Sequence, residues 1–170
     1  PSRFNAQTFA RAGVDRAKLK VIPGAVDAKL FDPGYTQALP LPDPAGYNFL
    51  SMFEWSSLKG WDVLLTAYLC EFSVDDDVCL YLRTHLLGQP AQDASATLQS
   101  EIEKHAKSLK LGRKKLPRIE LLTEPLAVAD LPGLYKAVDC LVAPSRGEGW
   151  GRPQHEAMMM ELPVIATNWS

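Results

Sequence analysis

Apolar residues fall into short runs separated by polar, periodic stretches. Asn48-Phe49-Leu50-Ser51-Met52-Phe53 reads as a strand. Trp61 to Phe72 follows with Trp61, Leu64, Leu65, Tyr68 and Phe72 on one helical face. Val78-Cys79-Leu80-Tyr81-Leu82 is continuously apolar, as suits a strand covered on both sides. Asp93 to Leu109 aligns Leu98, Ile102, His105 and Leu109 and predicts a second long helix. Strands are expected at 118–122, 139–143 and 163–167, with helices at 130–137 and 154–161. Upstream, Ser2 can cap a helix over 3–12 that Gly13 ends, and residues 18–22 form a short strand candidate. Between 23 and 46 the chain is rich in proline (Pro23, Pro33, Pro40, Pro42, Pro44) and reads as an irregular connector, a hinge or a loop with a role.

Strands alternating with helices define an α/β class, a doubly wound parallel sheet of Rossmann-like type. The expected organisation is a connector over 1–45 and a sheet domain over 46–170. The sheet has one edge still to come, as in a piece of a longer chain. Composition changes this picture little. The 170 residues are 46% apolar and 22% charged, with a net charge of −2. That balance argues against nucleic acid or an anionic membrane as an electrostatic partner. No apolar run approaches the roughly 20 residues that span a bilayer. Cys70, Cys79 and Cys140 each sit among apolar residues without zinc-like spacing, so three buried free thiols are expected, in a reducing, cytoplasmic setting.

In doubly wound sheets ligands bind beyond the carboxyl ends of the strands. That rim collects Lys59-Gly60 after the first strand, Arg83, Thr84 and His85 after the second, and Thr123 and Glu124 after the third. After the fourth comes Pro144-Ser145-Arg146-Gly147-Glu148-Gly149-Trp150-Gly151-Arg152-Pro153-Gln154-His155-Glu156. Strand, glycine-rich loop and helix N-terminus make an anion cradle. Gly149, Trp150 and Gly151 allow close backbone approach, while Glu148 in the loop and Glu156 in the first helical turn are bidentate acceptors for sugar hydroxyls. Hydroxyls plus phosphate describe a nucleotide sugar. The plainer alternative is a loop whose carboxylate charges the helix start, worth about 0.3–1 kcal/mol. His155 and His105 read as packing residues, His85 as a rim residue, Met158-Met159-Met160 as a helix face on the sheet, and Asp75-Asp76-Asp77 as a solvated turn rather than a metal site.

These residues resemble the glycosyl transferases group 1 family, retaining enzymes of the GT-B fold. Glu148 and Glu156 meet its E-x7-E signature. Val21-Ile22-Pro23-Gly24-Ala25-Val26-Asp27 is similar to VIPNGVD, Phe31-Asp32-Pro33 to F-x-P, Lys59-Gly60 to the phosphate-binding KG, and residues 130–139 to DLP-x-LY-x-AAD. The resemblance implies the C-terminal, donor-binding half of a two-domain enzyme. It also implies sugar transfer from a nucleotide diphosphate sugar to an acceptor hydroxyl with retention, without a metal or other cofactor. Glu156 would hold the ribose, Glu148 the donor sugar, Lys59 the leaving diphosphate, and the amides of Gly149, Trp150 and Gly151 the sugar and phosphates. Arg83 and Thr123 complete the expected donor site. A sugar, glycan or lipid acceptor would be bound by an N-terminal domain outside this stretch. That leaves membrane association open, and residues 1–170 alone are expected to be inactive. The family's GR-x-x-x-KG pattern places an Arg before the Lys. Residues 53–58 contain none here, and Arg83 is the candidate second cation. A sugar-nucleotide epimerase or phosphorylase of related fold, or a non-catalytic nucleotide-sugar binding module, are the alternative readings.

Overall fold

A computed structural model describes residues 1–168. Five parallel strands form one sheet: β1 Tyr47–Glu54, β2 Val78–His85, β3 Arg118–Leu122, β4 Cys140–Ala143 and β5 Val164–Ala166. Their spatial order is β3-β2-β1-β4-β5. The order reverses at β1, so the doubly wound arrangement has its switch point between β1 and β4. Helices α2 Trp61–Glu71, α3 Ala91–Ser108, α4 Leu131–Lys136 and α5 Arg152–Met159 form the crossovers, and α1 Arg3–Arg11 precedes the sheet.

The continuous apolar run of β2 has its physical reason in two separate cores. Cys79 and Tyr81 point into one, with Leu50, Tyr135, Leu141 and Ala157. Leu80 and Leu82 point into the other, with Leu64, Leu65, Leu69 and Leu98 from α2 and α3. Such strands have no solvent face, so alternation disappears. At roughly 25 cal/mol per Å² of apolar surface removed from water, each fully buried leucine contributes on the order of 1.5–3 kcal/mol. Ser51, fully buried on β1, donates its hydroxyl to the Val142 carbonyl across the switch point at 2.5 Å.

The connector is part of the first core. Phe31 is 3% exposed and packs on Tyr135, the Tyr81 hydroxyl donates to the Pro42 carbonyl at 2.7 Å, and the Leu39 amide donates to the Gly133 carbonyl at 2.9 Å. Several expectations need correction. Residues 18–22 form no strand: Arg16–Lys18 is a 3-10 turn capped by Asp15, and Val21 and Ile22 are exposed. A strand needs a ladder partner, and the sheet offers this segment none. Cys79 and Cys140 are buried, but Cys70 is exposed on α2. Of the methionine run only Met160 is buried. Ser2 does cap α1, accepting from the Asn5 amide at 3.1 Å. In the acidic triple, Asp76 accepts from the Ser73 amide and Asp77 faces Arg118, so these carboxylates serve a turn before β2. No helix among the described residues is long and apolar enough to cross a membrane.

Candidate functional site

Two loops meet beyond the carboxyl ends of β1 and β4. The first runs from β1 through a 3-10 turn, Ser57–Lys59, to Gly60, whose φ of 69° both ends that turn and starts α2. A side chain at Gly60 would run into the Pro144 carbonyl, so the close approach of the loops needs glycine. The second loop is the glycine-rich stretch after β4. Its Arg146 amide donates to the Leu58 carbonyl at 2.7 Å. The Arg146 guanidinium forks onto both Asp62 oxygens at 2.7 Å each and also reaches the Ser57 carbonyl. This contact holds the Asp62 carboxyl below the usual carboxylate range.

With the loops joined in this way, Lys59 Nζ lies 2.8 Å from Glu148 Oε1. The two side chains are 27% and 22% exposed, so the pair is neither dry nor fully solvated. Glu156 is different. Gly151, in the left-handed region at φ 75°, precedes α5, and Glu156 is the helix's fifth residue, two positions deeper than in the helix expected over 154–161. It is 4% exposed. Its Oε2 accepts from the Tyr135 hydroxyl at 2.9 Å, and its Oε1 takes Arg152 Nε at 3.1 Å and a second guanidinium nitrogen at 3.0 Å. Burial, reinforced by the neighbouring carboxylate, pushes the Tyr135 phenol well above its usual value, so it stays a donor.

Trp150 lies between His155, stacked at 4.7 Å and 11°, and the Gly24 backbone. A Cβ on Gly24 would fall 2.6 Å from the indole Cδ1. The connector therefore touches the glycine-rich loop directly. His155 is a packing residue, its Nδ1 2.9 Å from the Gly151 carbonyl oxygen. Glu148, Ser145, Trp150, Gln154 and Thr167 line a hollow of about 140 Å³. Trp150 Nε1 and Gln154 Oε1 are buried there without a protein partner.

Arg83 and Thr123 belong to a second, larger cavity of about 410 Å³ beyond β3, walled by Leu41, Pro42, Leu122 and Leu126. Arg83 donates to the Leu122 carbonyl at 3.1 Å, and burial pulls its guanidinium below its usual value. Its Nε is buried without a partner. Lys59 and Glu148 thus come together, Glu156 is buried in α5 against Tyr135 and Arg152, and Arg83 with Thr123 lines a different cavity. His85 is exposed at the end of β2, and His105 bonds Thr66 at 2.9 Å between α3 and α2. Arg146, Asp62, Tyr135 and Arg152 went unrecognised in the sequence. The i,i+4 spacing of Arg152 and Glu156 was the one local signal for any of them. Among the described residues no group of three His, Cys, Asp or Glu side chains is placed to hold a metal ion.

The parallel sheet with its polar residues gathered at one rim defines a Rossmann-like domain of the type found in GT-B glycosyltransferases. The sequence profile of the glycosyl transferases group 1 matches residues 48–170, and the chain belongs to that family. A D-inositol 3-phosphate glycosyltransferase of Catenulispora acidiphila is 30% identical over 164 residues, covering 94% of this chain and 38% of the relative. Mannosylfructose-phosphate synthase of Agrobacterium fabrum is 26% identical over 72% of this chain and 25% of its own length. The chain thus spans well under half of these relatives. Among solved structures, sucrose-phosphate synthase of Thermosynechococcus elongatus superposes over 95% of this chain and 38% of its own, with a TM-score of 0.65 and 22% identity.

Proposed function

We propose that this chain is the donor-binding part of a retaining glycosyltransferase that moves a sugar from a nucleotide diphosphate sugar to an acceptor hydroxyl. The observation that carries the reading is the Lys59–Glu148 pair at 2.8 Å on the carboxyl rim, in a glycine-rich loop that leads straight into α5 and its buried Glu156. A cation beside a carboxylate suits a substrate that brings a diphosphate and a polyhydroxylated ring to the same place.

In this reading the base occupies the cavity of about 410 Å³, between apolar walls and beside Arg83 and Thr123. Glu156 accepts from the ribose hydroxyls. The diphosphate lies against the amides of Gly149, Trp150 and Gly151 at the start of α5, where the helix dipole favours negative charge. As the bond from the anomeric carbon to the phosphate oxygen breaks, charge builds on the diphosphate. Lys59 and the amides stabilise it. Glu148 accepts from donor-sugar hydroxyls and orients the ring, and the ion pair positions both side chains before substrate arrives. The acceptor is bound by a part of the enzyme outside residues 1–170.

The test uses the full-length enzyme with UDP-, GDP- and ADP-glucose and GDP-mannose. The relatives' names suggest D-inositol 3-phosphate and a fructose phosphate as first acceptors. Mass spectrometry should show an acceptor gaining one hexose, and NMR an unchanged anomeric configuration. Glu148→Gln should lower turnover by about 100-fold or more. Free epimerised sugar, sugar phosphate, inverted product, or near-normal turnover by the variant contradicts the reading.

A further inference from the structure

We propose that Tyr135 is a positioning residue for the ribose-binding carboxylate, fixing Glu156 so that its outer lone pairs face the nucleotide. The inference rests on the donor-site reading above and concerns how that site is preorganised. The two oxygens of Glu156 are held unequally. Oε2 accepts from a phenol whose residue is 1% exposed, and whose ring is wedged against Phe31 at a centroid distance of 6.1 Å. Oε1 is held by Arg152, whose side chain is 67% exposed. A guanidinium on a surface side chain exchanges readily with water or ligand, whereas a phenol locked in a core does not. Tyr135 thereby sets the plane of the carboxylate.

A carboxylate offers about four acceptor sites. Tyr135 fills one on Oε2 and two Arg152 nitrogens meet Oε1, so one Oε2 site stays open and Oε1 takes the second of two vicinal hydroxyls as the exposed guanidinium yields. Tyr135 comes from α4 and Glu156 from α5, so the hydroxyl also ties the helix before β4 to the helix after it. Without the phenol, the carboxylate loses its only buried donor among the described partners and can rotate toward Arg152.

The experiment separates positioning from general support of the fold. Dissociation constants of UDP, GDP and ADP, and of their 2′,3′-dideoxy counterparts, are measured by calorimetry on the full-length protein. Wild type should prefer the ribo form of the nucleotide it binds by roughly 10- to 100-fold, the range for hydrogen bonds to a charged group. In Tyr135→Phe the preference should collapse to below about threefold, with the dideoxy affinity changed by less than threefold. An unchanged preference in that variant overturns the inference, even if both affinities fall together. Arg152→Gln should keep a preference of at least tenfold. If it instead loses the preference, Arg152 is the positioning group and the proposal fails. Should Tyr135→Phe not fold, the Arg152→Gln result decides by the same thresholds. If wild type binds none of the three diphosphates, or binds ribo and dideoxy forms equally, the donor-site reading has failed as well.

Discussion

Replacing Lys59 by Gln separates a structural ion pair from a catalytic one. The Lys59–Glu148 pair is short, at 2.8 Å, but both side chains are about a quarter exposed. Water screens such a pair, and exposed pairs contribute about 0–1 kcal/mol. The loops are also joined independently, by Arg146 on Asp62 and by the Arg146 amide on Leu58. Loss of the pair should therefore change unfolding free energy by under about 1 kcal/mol. Its effect on the reaction should be larger, because the leaving diphosphate gains charge in the transition state. Removing one such preorganised donor costs about 2.7–4 kcal/mol, or roughly 100- to 1,000-fold in kcat. The assay is steady-state transfer by the full-length enzyme at saturating donor, with a urea titration of the same preparations. A fall in kcat below about threefold would refute the reasoning. So would a stability loss large enough to account for the lost activity.

Other expectations follow from the geometry. Gly60→Ala should destabilise the protein by at least about 1 kcal/mol, the cost of left-handed backbone for an L-residue, because the added carbon also meets the Pro144 carbonyl; an unchanged Tm contradicts this. Gly24→Ala should displace the indole of Trp150, read as a shift of its resonance in 19F NMR of fluorotryptophan-labelled protein, with weaker donor binding. Asp62 should titrate below the usual carboxylate range because Arg146 holds it there, and its carboxyl should return toward that range in Arg146→Gln. The sign follows from the depressed folded value: the contact contributes stability above the ordinary carboxylate range and loses it as pH falls through the folded value. Its size is small, since both side chains are over a third exposed. A Tyr135→Phe enzyme should show a raised donor KM rather than a matching loss of kcat.

The sheet was legible because buried parallel strands write themselves as unbroken apolar runs. Residues 78–82 and 139–143 were read from that signal, and β2 continues to His85 through its pairing with the end of β1. Residues 18–22 carry only a short mixed pattern of lysines and aliphatic residues, and pairing, which is non-local, decided against them. Cys70 lies among apolar neighbours in sequence yet falls on the outer face of α2. At the site, Gly151 was readable because its left-handed backbone favours glycine, and the two glutamates because they flank that turn in sequence. The bond from Arg146 to Asp62 joins residues 84 apart, and that from Tyr135 to Glu156 spans 21. Such pairings leave no local pattern. The packing of the connector was hidden for a related reason: the Phe31 ring and the Leu39 amide engage α4, and the Pro42 carbonyl accepts from Tyr81 of β2, without periodicity.

The central claim is that the rim between β1 and β4 binds a nucleotide diphosphate sugar through the two glutamates. Isothermal titration of UDP-, GDP- and ADP-sugars into the full-length protein, repeated with Glu156→Gln, tests it most directly. The account predicts one-to-one binding of at least one donor without added metal. It also predicts affinity about 10- to 100-fold weaker in the variant, as expected for a lost hydrogen bond to a charged group. Equal affinity in wild type and variant, or no binding of any nucleotide sugar, would contradict it.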